Sequence, residues 1–205
     1  LPLPAHHRFP MSKYEVLPLQ LMHEGTLNEG NFFRPASIAS NRVLAVHDRN
    51  YFDNLLSLNL TPQEVRRTGF PLDRRVVDRE LHIVNGTLIA AWYALHNDIA
   101  LNIAGGTHHA FRDHGAGFCL LNDIAIAAAY LLSERMVRQV LVVDLDVHQG
   151  DGTASIFSDE PRVFTFSMHG ANNYPLRKES SDLDVALPDG TGDHPYLYEL
   201  ERHLD

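Results

Sequence analysis

The sequence predicts an α/β protein built on a mainly parallel sheet with helices on both faces. Three observations carry this. From residue 99 onward, short runs that are apolar throughout alternate with longer helical runs. That is the pattern of strands buried on both faces and joined by helical crossovers. The residues able to do chemistry gather just past the ends of those apolar runs, where open parallel sheets bind ligands. The chain has 205 residues, 44% of them hydrophobic and 21% charged. This suits one domain, which at such a length buries roughly 70% of its unfolded surface without a disulfide or metal staple.

The elements follow in order. Residues 1–40 read as loop and short helix. A helix is expected from Val43 to Leu58, with Val43, Val46, Phe52, Leu55 and Leu56 near one face. Thr61-Pro62-Gln63-Glu64 is a capping box with Pro at the first helical position, so a short helix starts there. A longer helix spans Arg74 to His96, where Val76, Val77, Leu81, Val84, Leu88, Ala91, Trp92 and Leu95 keep a helical period. Ile99 to Ala104 reads as a buried strand, Gly105 to Gly117 as a Gly- and His-rich loop, and Leu121 to Arg135 as a helix. Gln139 to Val147 is a strand, Thr153 to Phe157 a short helix, and Val163 to Met168 a strand. Asp182 to Leu187 reads as a further strand and His194 to Leu204 as a terminal helix. There is no internal repeat, low-complexity tract or flexible linker.

Composition excludes several classes. Lys plus Arg is 17 against 26 Asp plus Glu, a net charge of -9. A duplex nucleic-acid binder needs a basic footprint, and so does docking on an anionic membrane. The longest apolar run, Ile124 to Leu132, is far short of the ~20 residues of a membrane span. The start, LPLPAHHRFP, has no apolar core of the signal-peptide kind. Cys119 is the single cysteine, so no intrachain disulfide forms, which fits a reducing, cytoplasmic compartment. Its apolar neighbours make it a packing residue.

The chemistry starts in LVVDLDVHQGDG (Leu141 to Gly152). Asp144, Asp146 and His148 are spaced by two, so in an extended strand they share one face. Two carboxylates on one face of a buried central strand repel and are costly to desolvate. A cation is the simplest remedy, and an open Asp/His set is typical of catalytic zinc. The competing reading makes the two Asp backbone acceptors at a strand end and His148 an ordinary loop residue.

The second element, GGTHHA (Gly105 to Ala110), also follows an apolar run. Alone, His108 and His109 read as a surface loop. Beside a metal strand, an imidazole becomes a proton carrier near neutral pH. Asp144 and Asp151 are the acids left over to orient those imidazoles. In GAGFCLLND (Gly115 to Asp123), Phe118 is either a core anchor or one wall of a narrow apolar slot, with Tyr174 the facing wall. There is no GxGxxG after a strand and no GxSxG elbow, which removes the dinucleotide and serine-hydrolase readings.

Together GGTHHA, GFCLLND, VVDLDVHQGDG and VFTFSMH, in that order, resemble the histone deacetylase family, including related bacterial deacetylases and amidohydrolases. VHDRNYFDNLL (Val46 to Leu56) and LPDGTGDHPYL (Leu187 to Leu197) fit as well. Gln149 and HRFPMSKY (His7 to Tyr14) lean toward the class IV-like branch. The resemblance runs from about His6 to Asp205.

The resemblance implies an arginase/deacetylase-like three-layer sandwich and a zinc-dependent amide hydrolase. By it, Asp146 and His148 match two of three zinc ligands. His108 and His109 match the tandem catalytic histidines, and Asp144 and Asp151 their carboxylate partners. Gly117, Phe118 and Tyr174 match the acyl-lysine channel. Asp144, Asp146, His148, Ser167 and Met168 match a monovalent cation site for K+ or Na+. The family's third zinc ligand and its transition-state tyrosine come from later motifs that do not occur before Asp205, and its usual first strand is not seen before the HRFP segment. Residues 1–205 thus read as one deacetylase-like domain, about the N-terminal two-thirds of the family's. The implied substrate is acylated lysine. Acetylated polyamines or other small amides, and a non-catalytic fragment with an incomplete metal site, stay open beside it. Oligomeric state is not legible.

Overall fold

A computed structural model describes residues 3, 4 and 6–204. Leu1, Pro2 and Ala5, part of the N-terminal reading, and Asp205 lie outside them. The helices are α1 (Lys13–His23), α2 (Ser40–Val43), α3 (Arg49–Leu56), α4 (Pro62–Thr68), α5 (Arg74–Asn97), α6 (Asp123–Ser133), α7 (Asp151–Phe157) and α8 (Asp193–Leu204). The strands are β1 (Val140–Asp144), β2 (Val163–Gly170) and β3 (Leu183–Leu187). They form one parallel sheet in the order β1-β2-β3. Asp144 pairs with Ser167, and Ser167 with Asp184. None of the described helices is long and apolar enough to cross a membrane.

Alternation along the strands sends side chains to two faces. On one face, Val142 and Val163 join Phe52, Leu55, Val77, Val84, Leu121 and Ile126 in the larger core, with α5 packed along α6. On the other, Phe166, Met168, Val185 and Leu187 meet Tyr196 and Leu200 of α8. Both faces of β2 are therefore covered, whereas β3 is packed on one face only, with Asp184 and Ala186 exposed on the other. Local signals set several boundaries. Thr61 and Glu64 form the reciprocal capping box at α4. The Asn122 side chain accepts from Ala125 N to start α6.

Three expectations need correction. Ile99 to Ala104 is not a strand: Ile99 and Leu101 are each 72% exposed. No ladder partner for it exists among the described residues, and a strand without one has nothing to satisfy its backbone. Instead Asn102 fastens the segment to α5, its Nδ2 donating to Ile83 O (2.9 Å) and Thr87 Oγ1 (2.7 Å). The helix expected over Val43 to Leu58 is two helices, α2 and α3, broken at residues 44–48. Tertiary bonds claim that stretch: Asp48 N donates to Arg112 O (2.8 Å), and His47 Nε2 accepts from Asn122 N (3.0 Å).

Finally, β1 is an edge strand among the described residues, and it ends at Asp144 rather than Val147. Leu141 and Val143 stay exposed, while Tyr196 and Leu200 of α8 pack on β2 and β3.

Candidate active site

The site forms where the 105–110 loop crosses the carboxyl end of β1. A buried Asn-Asp pair at the start of α6 holds that loop. Asp123 is fully buried and accepts from Gly106 N (3.1 Å), Thr107 N (2.7 Å), Thr107 Oγ1 (2.6 Å) and Thr87 Oγ1 (2.5 Å). Asn122 Nδ2 donates to Ala110 O (3.1 Å) and Thr153 Oγ1 (3.0 Å). Thr153 N donates to His108 O (3.1 Å). The backbone that carries both histidines is thus pinned from the start of α6 and from α7, with Thr87 of α5 bonded to Asp123 behind it.

Each histidine then meets its own acid. His108 Nδ1 lies 2.5 Å from Asp144 Oδ2, and His109 Nδ1 lies 2.6 Å from Asp151 Oδ1. The two rings sit 4.0 Å apart, centroid to centroid. A Cβ on Gly117 would stand 2.5 Å from His109 Cδ2, and Gly117 has φ +52°. Only glycine allows that approach at that backbone angle. The two imidazoles are tuned in opposite directions. Burial pulls His108 down, but the Asp144 hydrogen bond and charge, with Asp146 and Asp151 behind, outweigh it and leave its pKa raised. Burial holds the His109 pKa low, and the Asp151 hydrogen bond only partly offsets this beside the repulsion of His108.

Asp146 and His148 arrive by a different route from the expected strand face. Past Asp144 the chain leaves the ladder and curls, because each Asp captures an amide two residues on. Asp146 N donates to Asp144 Oδ1 (3.0 Å), and His148 N to Asp146 Oδ1 (2.8 Å). These are Asx turns, a local alternative to extended backbone. The side chains of Asp146 and His148 are 51% and 39% exposed, so the premise of two carboxylates on a buried central strand does not hold. His148 Nδ1 still lies 2.9 Å from Asp146 Oδ1. Two donors on one tetrahedral zinc at ~2.0–2.1 Å stand roughly 3.3 Å apart. In type the pair fits two members of a zinc set, and the two donors stand close enough for a small separation, about 0.4 Å, to bring them to that spacing. No group of three or more His, Cys, Asp or Glu suited to a metal occurs among the described residues.

A cavity of about 520 Å³ opens onto His108, His109, Asp146 and His148. Gly117, Phe118 and Tyr174 line it. Besides lining the cavity, Phe118 packs on Phe70 (5.5 Å) and Phe9 (5.3 Å). That packing, with Phe118 N bonded to Thr68 O (2.8 Å), holds its unusual φ of +65°. The Tyr174 ring stands edge-on to His109 (4.9 Å) and His148 (5.9 Å). Cys119 is buried, and burial pushes its thiol pKa well up, as befits a packing residue.

Of the proposed monovalent-cation residues, Asp144 and Ser167 are neighbours across the β1–β2 ladder, and Met168 follows Ser167. The Ser167 hydroxyl is engaged with His169 Nδ1 (3.0 Å). Sequence reasoning missed the cationic end of the cavity, formed by Arg8, Lys13 and Arg79. It also missed Glu80, fully buried, whose Oε1 takes Arg79 Nη1 at 2.6 Å and whose pKa burial raises to about 7. The ND of GFCLLND was in plain view, but only its buried partners reveal it as the anchor of the histidine loop.

Comparison with known proteins bears on the family and the fold. Residues 7–205 match the histone deacetylase domain. An uncharacterised protein of Picosynechococcus sp. is 45% identical over 204 residues, all of this chain and 68% of that protein. Histone deacetylase 2 of Arabidopsis thaliana is 30% identical over 97% of this chain and 54% of its own length. The acetoin utilization protein AcuC of Bacillus subtilis is 32% identical over 82% of this chain and 46% of its own. The chain thus spans about half to two-thirds of the relatives it matches. The crystal structure of a deacetylase homologue from Aquifex aeolicus superposes with a TM-score of 0.85 at 23% identity, over 98% of this chain and 60% of that one. It shares the fold, a parallel-sheet α/β sandwich of the deacetylase kind. With the fold and nearly the whole chain matched, the protein belongs to the histone deacetylase family.

Proposed function

We propose that the full-length protein is a zinc-dependent amide hydrolase that removes acyl groups from acylated lysine. The observation that carries this is the pair of buried His–Asp dyads opening onto one cavity beside two zinc-type donors. In this reading Asp146 and His148 hold the zinc with one further ligand. When bound, zinc supplies Lewis acidity to the amide carbonyl and the attacking water.

The chain's own residues handle protons and position. Asp151 fixes His109 with its proton on Nδ1, leaving Nε2 as the free base. Its depressed pKa keeps it neutral and ready to take the proton of water near pH 7. His108, held by Asp144 with a raised pKa, favours the imidazolium that stabilises developing negative charge. The protonated His109 then supplies the proton to the leaving amine. Gly117, Phe118 and Tyr174 wall the acyl-lysine channel. Arg8, Lys13 and Arg79 suit the carboxylate product and tell against a polycationic acyl donor at that end. Asp144, Asp146, His148, Ser167 and Met168 are proposed to hold K+ or Na+ behind the site, supported by the Asp144–Ser167 pairing.

The test is turnover of an acetyl-lysine peptide by full-length protein, measured beside its metal content. About one zinc per chain and chelator-sensitive release of free lysine are expected. A zinc-loaded protein inert toward acyl-lysine peptides but active on acetylated small amines would replace the substrate assignment.

A further inference from the structure

Gln149 sits between His148 and the Gly150–Asp151 turn, yet its side chain touches neither histidine. It is 1% exposed and fully hydrogen-bonded elsewhere. Its Oε1 accepts from Glu179 N (2.9 Å), and its Nε2 donates to Glu179 O (2.8 Å) and to Asp184 Oδ1 (2.8 Å). One carboxamide thereby grips the backbone of one residue on both sides, as a neighbouring strand would, and reaches the Asp184 side chain near the start of β3.

Glu179 belongs to the 171–182 connection between β2 and β3, which carries Tyr174. Little apolar packing secures that connection: Leu176 is 94% exposed, and of its hydrophobic residues only Pro175 is buried. Polar clasps take over. Lys178 Nζ donates to Asn173 O (2.6 Å) and Pro175 O (2.6 Å), closing a small turn around Tyr174. The next residue, Glu179, is the one Gln149 grips. A chain of bonds therefore runs from the backbone of the His148 turn, through Gln149 and the Lys178 turn, back to the Tyr174 ring against His109 and His148.

We propose that Gln149 is a positioning residue for the substrate channel. By latching Glu179 it holds the Tyr174 wall at its distance from the histidines, and so sets which acyl groups the channel accepts. This rests on the acyl-amide hydrolase reading above for its catalytic consequence, but not for the latch itself.

Three variants of the full-length protein test it. Gln149→Met keeps the length and removes every bond. Gln149→Glu keeps the acceptor for Glu179 N but sets a carboxylate against Glu179 O and Asp184. Gln149→Glu with Asp184→Asn restores a donor opposite the new acceptor. The first readout needs no activity: tryptic cleavage after the exposed Arg177, followed by mass spectrometry. Cleavage about tenfold faster in both single variants, returning to within about threefold of wild type in the double variant, is expected for a latch on a locally opening segment. The second readout is KM and kcat on acetyl- and longer acyl-lysine peptides. A loosened wall raises KM for acetyl and flattens the preference between acyl lengths by about fivefold or more, and the double variant recovers it. Loss of folded fraction alone would lower kcat uniformly and leave KM and the preference unchanged, which overturns the proposal. So does wild-type protection at Arg177 in Gln149→Met, or failure of Asp184→Asn to rescue Gln149→Glu. If Gln149→Met does not fold, the charge pair decides. If wild type cleaves no acyl-lysine, the functional reading falls while the proteolysis still decides the latch.

Discussion

His108 and His109 are fixed from below by buried Asn122 and Asp123 at the start of α6 and by Thr153 of α7, and each imidazole has its own carboxylate. Asp146 and His148, a few ångströms away, are half exposed and held by little more than two turns of their own making. The contrast teaches where rigidity is invested. Proton transfer fails when a donor drifts by a fraction of an ångström, so the histidine side is over-determined. Donors to an ion can be drawn into place by the ion itself, so a pre-locked set is less necessary.

The sharpest way to break this comparison is to remove one carboxylate from each side. Asp123→Ala strips the acceptor from two amides and two hydroxyls in a buried site, and should lower unfolding stability by about 4 kcal/mol. Asp146→Ala, half exposed, should change it by less than about 0.5 kcal/mol. Urea titration compares them, and equal losses would erase the distinction.

Next is pH. The His47 imidazole, which accepts from Asn122 N in the histidine anchor, is lowered by burial from 6.5 to about 4. Its folded pKa is below the unfolded one, so its stability is present above pH 6.5 and lost as pH falls toward 4. Glu80 is raised by burial from 4.5 to about 7, so its share is present below pH 4.5 and lost as pH rises toward 7. At ~1.4 kcal/mol per unit each amounts to roughly 3 kcal/mol, with opposite sign. Wild type should therefore be nearly level in this window. Glu80→Gln should unmask a rise in stability with pH and His47→Gln a fall, both read from thermal melts between pH 4 and 7.

His109→Ala should cost about 10²-fold in turnover of an acyl-lysine peptide, ~2.7 kcal/mol in barrier, while the fold persists. Undiminished turnover would remove the histidine from its assigned role. The smallest effect is expected from Gly117→Ala, whose methyl displaces the His109 ring and is strained at φ +52°. Turnover should fall about tenfold, with a smaller rise in KM because Gly117 also lines the channel. A rise in KM with turnover unchanged would show that Gly117 acts through the channel wall alone and not through the His109 ring.

Much of the molecule was legible before folding. The capping box at Thr61, the period of α5 and the alternation after residue 120 are local signals, and local energetics suffices for them. The segment at Ile99 misled because an apolar run is compatible with a strand wherever a partner exists, and none lies among the described residues. The break after Val43 was hidden for the converse reason: its helical period is real, but bonds to Arg112 and Asn122, remote in sequence, outbid it. At the site, residue types identify the histidines and acids, yet the Asx turns after Asp144 look like strand in sequence because spacing by two suits both.

The sequence by itself determined the inventory: two adjacent imidazoles, the acids around a strand tip, and glycines where backbone and ring must nearly touch. The tertiary structure alone decided the pairing of His108 with Asp144 and of His109 with Asp151, the opposite tuning of the two rings, and the grip of Gln149 on Glu179. The reason is physical. Composition and short-range spacing act through neighbouring backbone, whereas protonation and hydrogen-bond choice depend on burial and on groups 30 to 42 residues apart, which meet only once the sheet and its covering helices have formed.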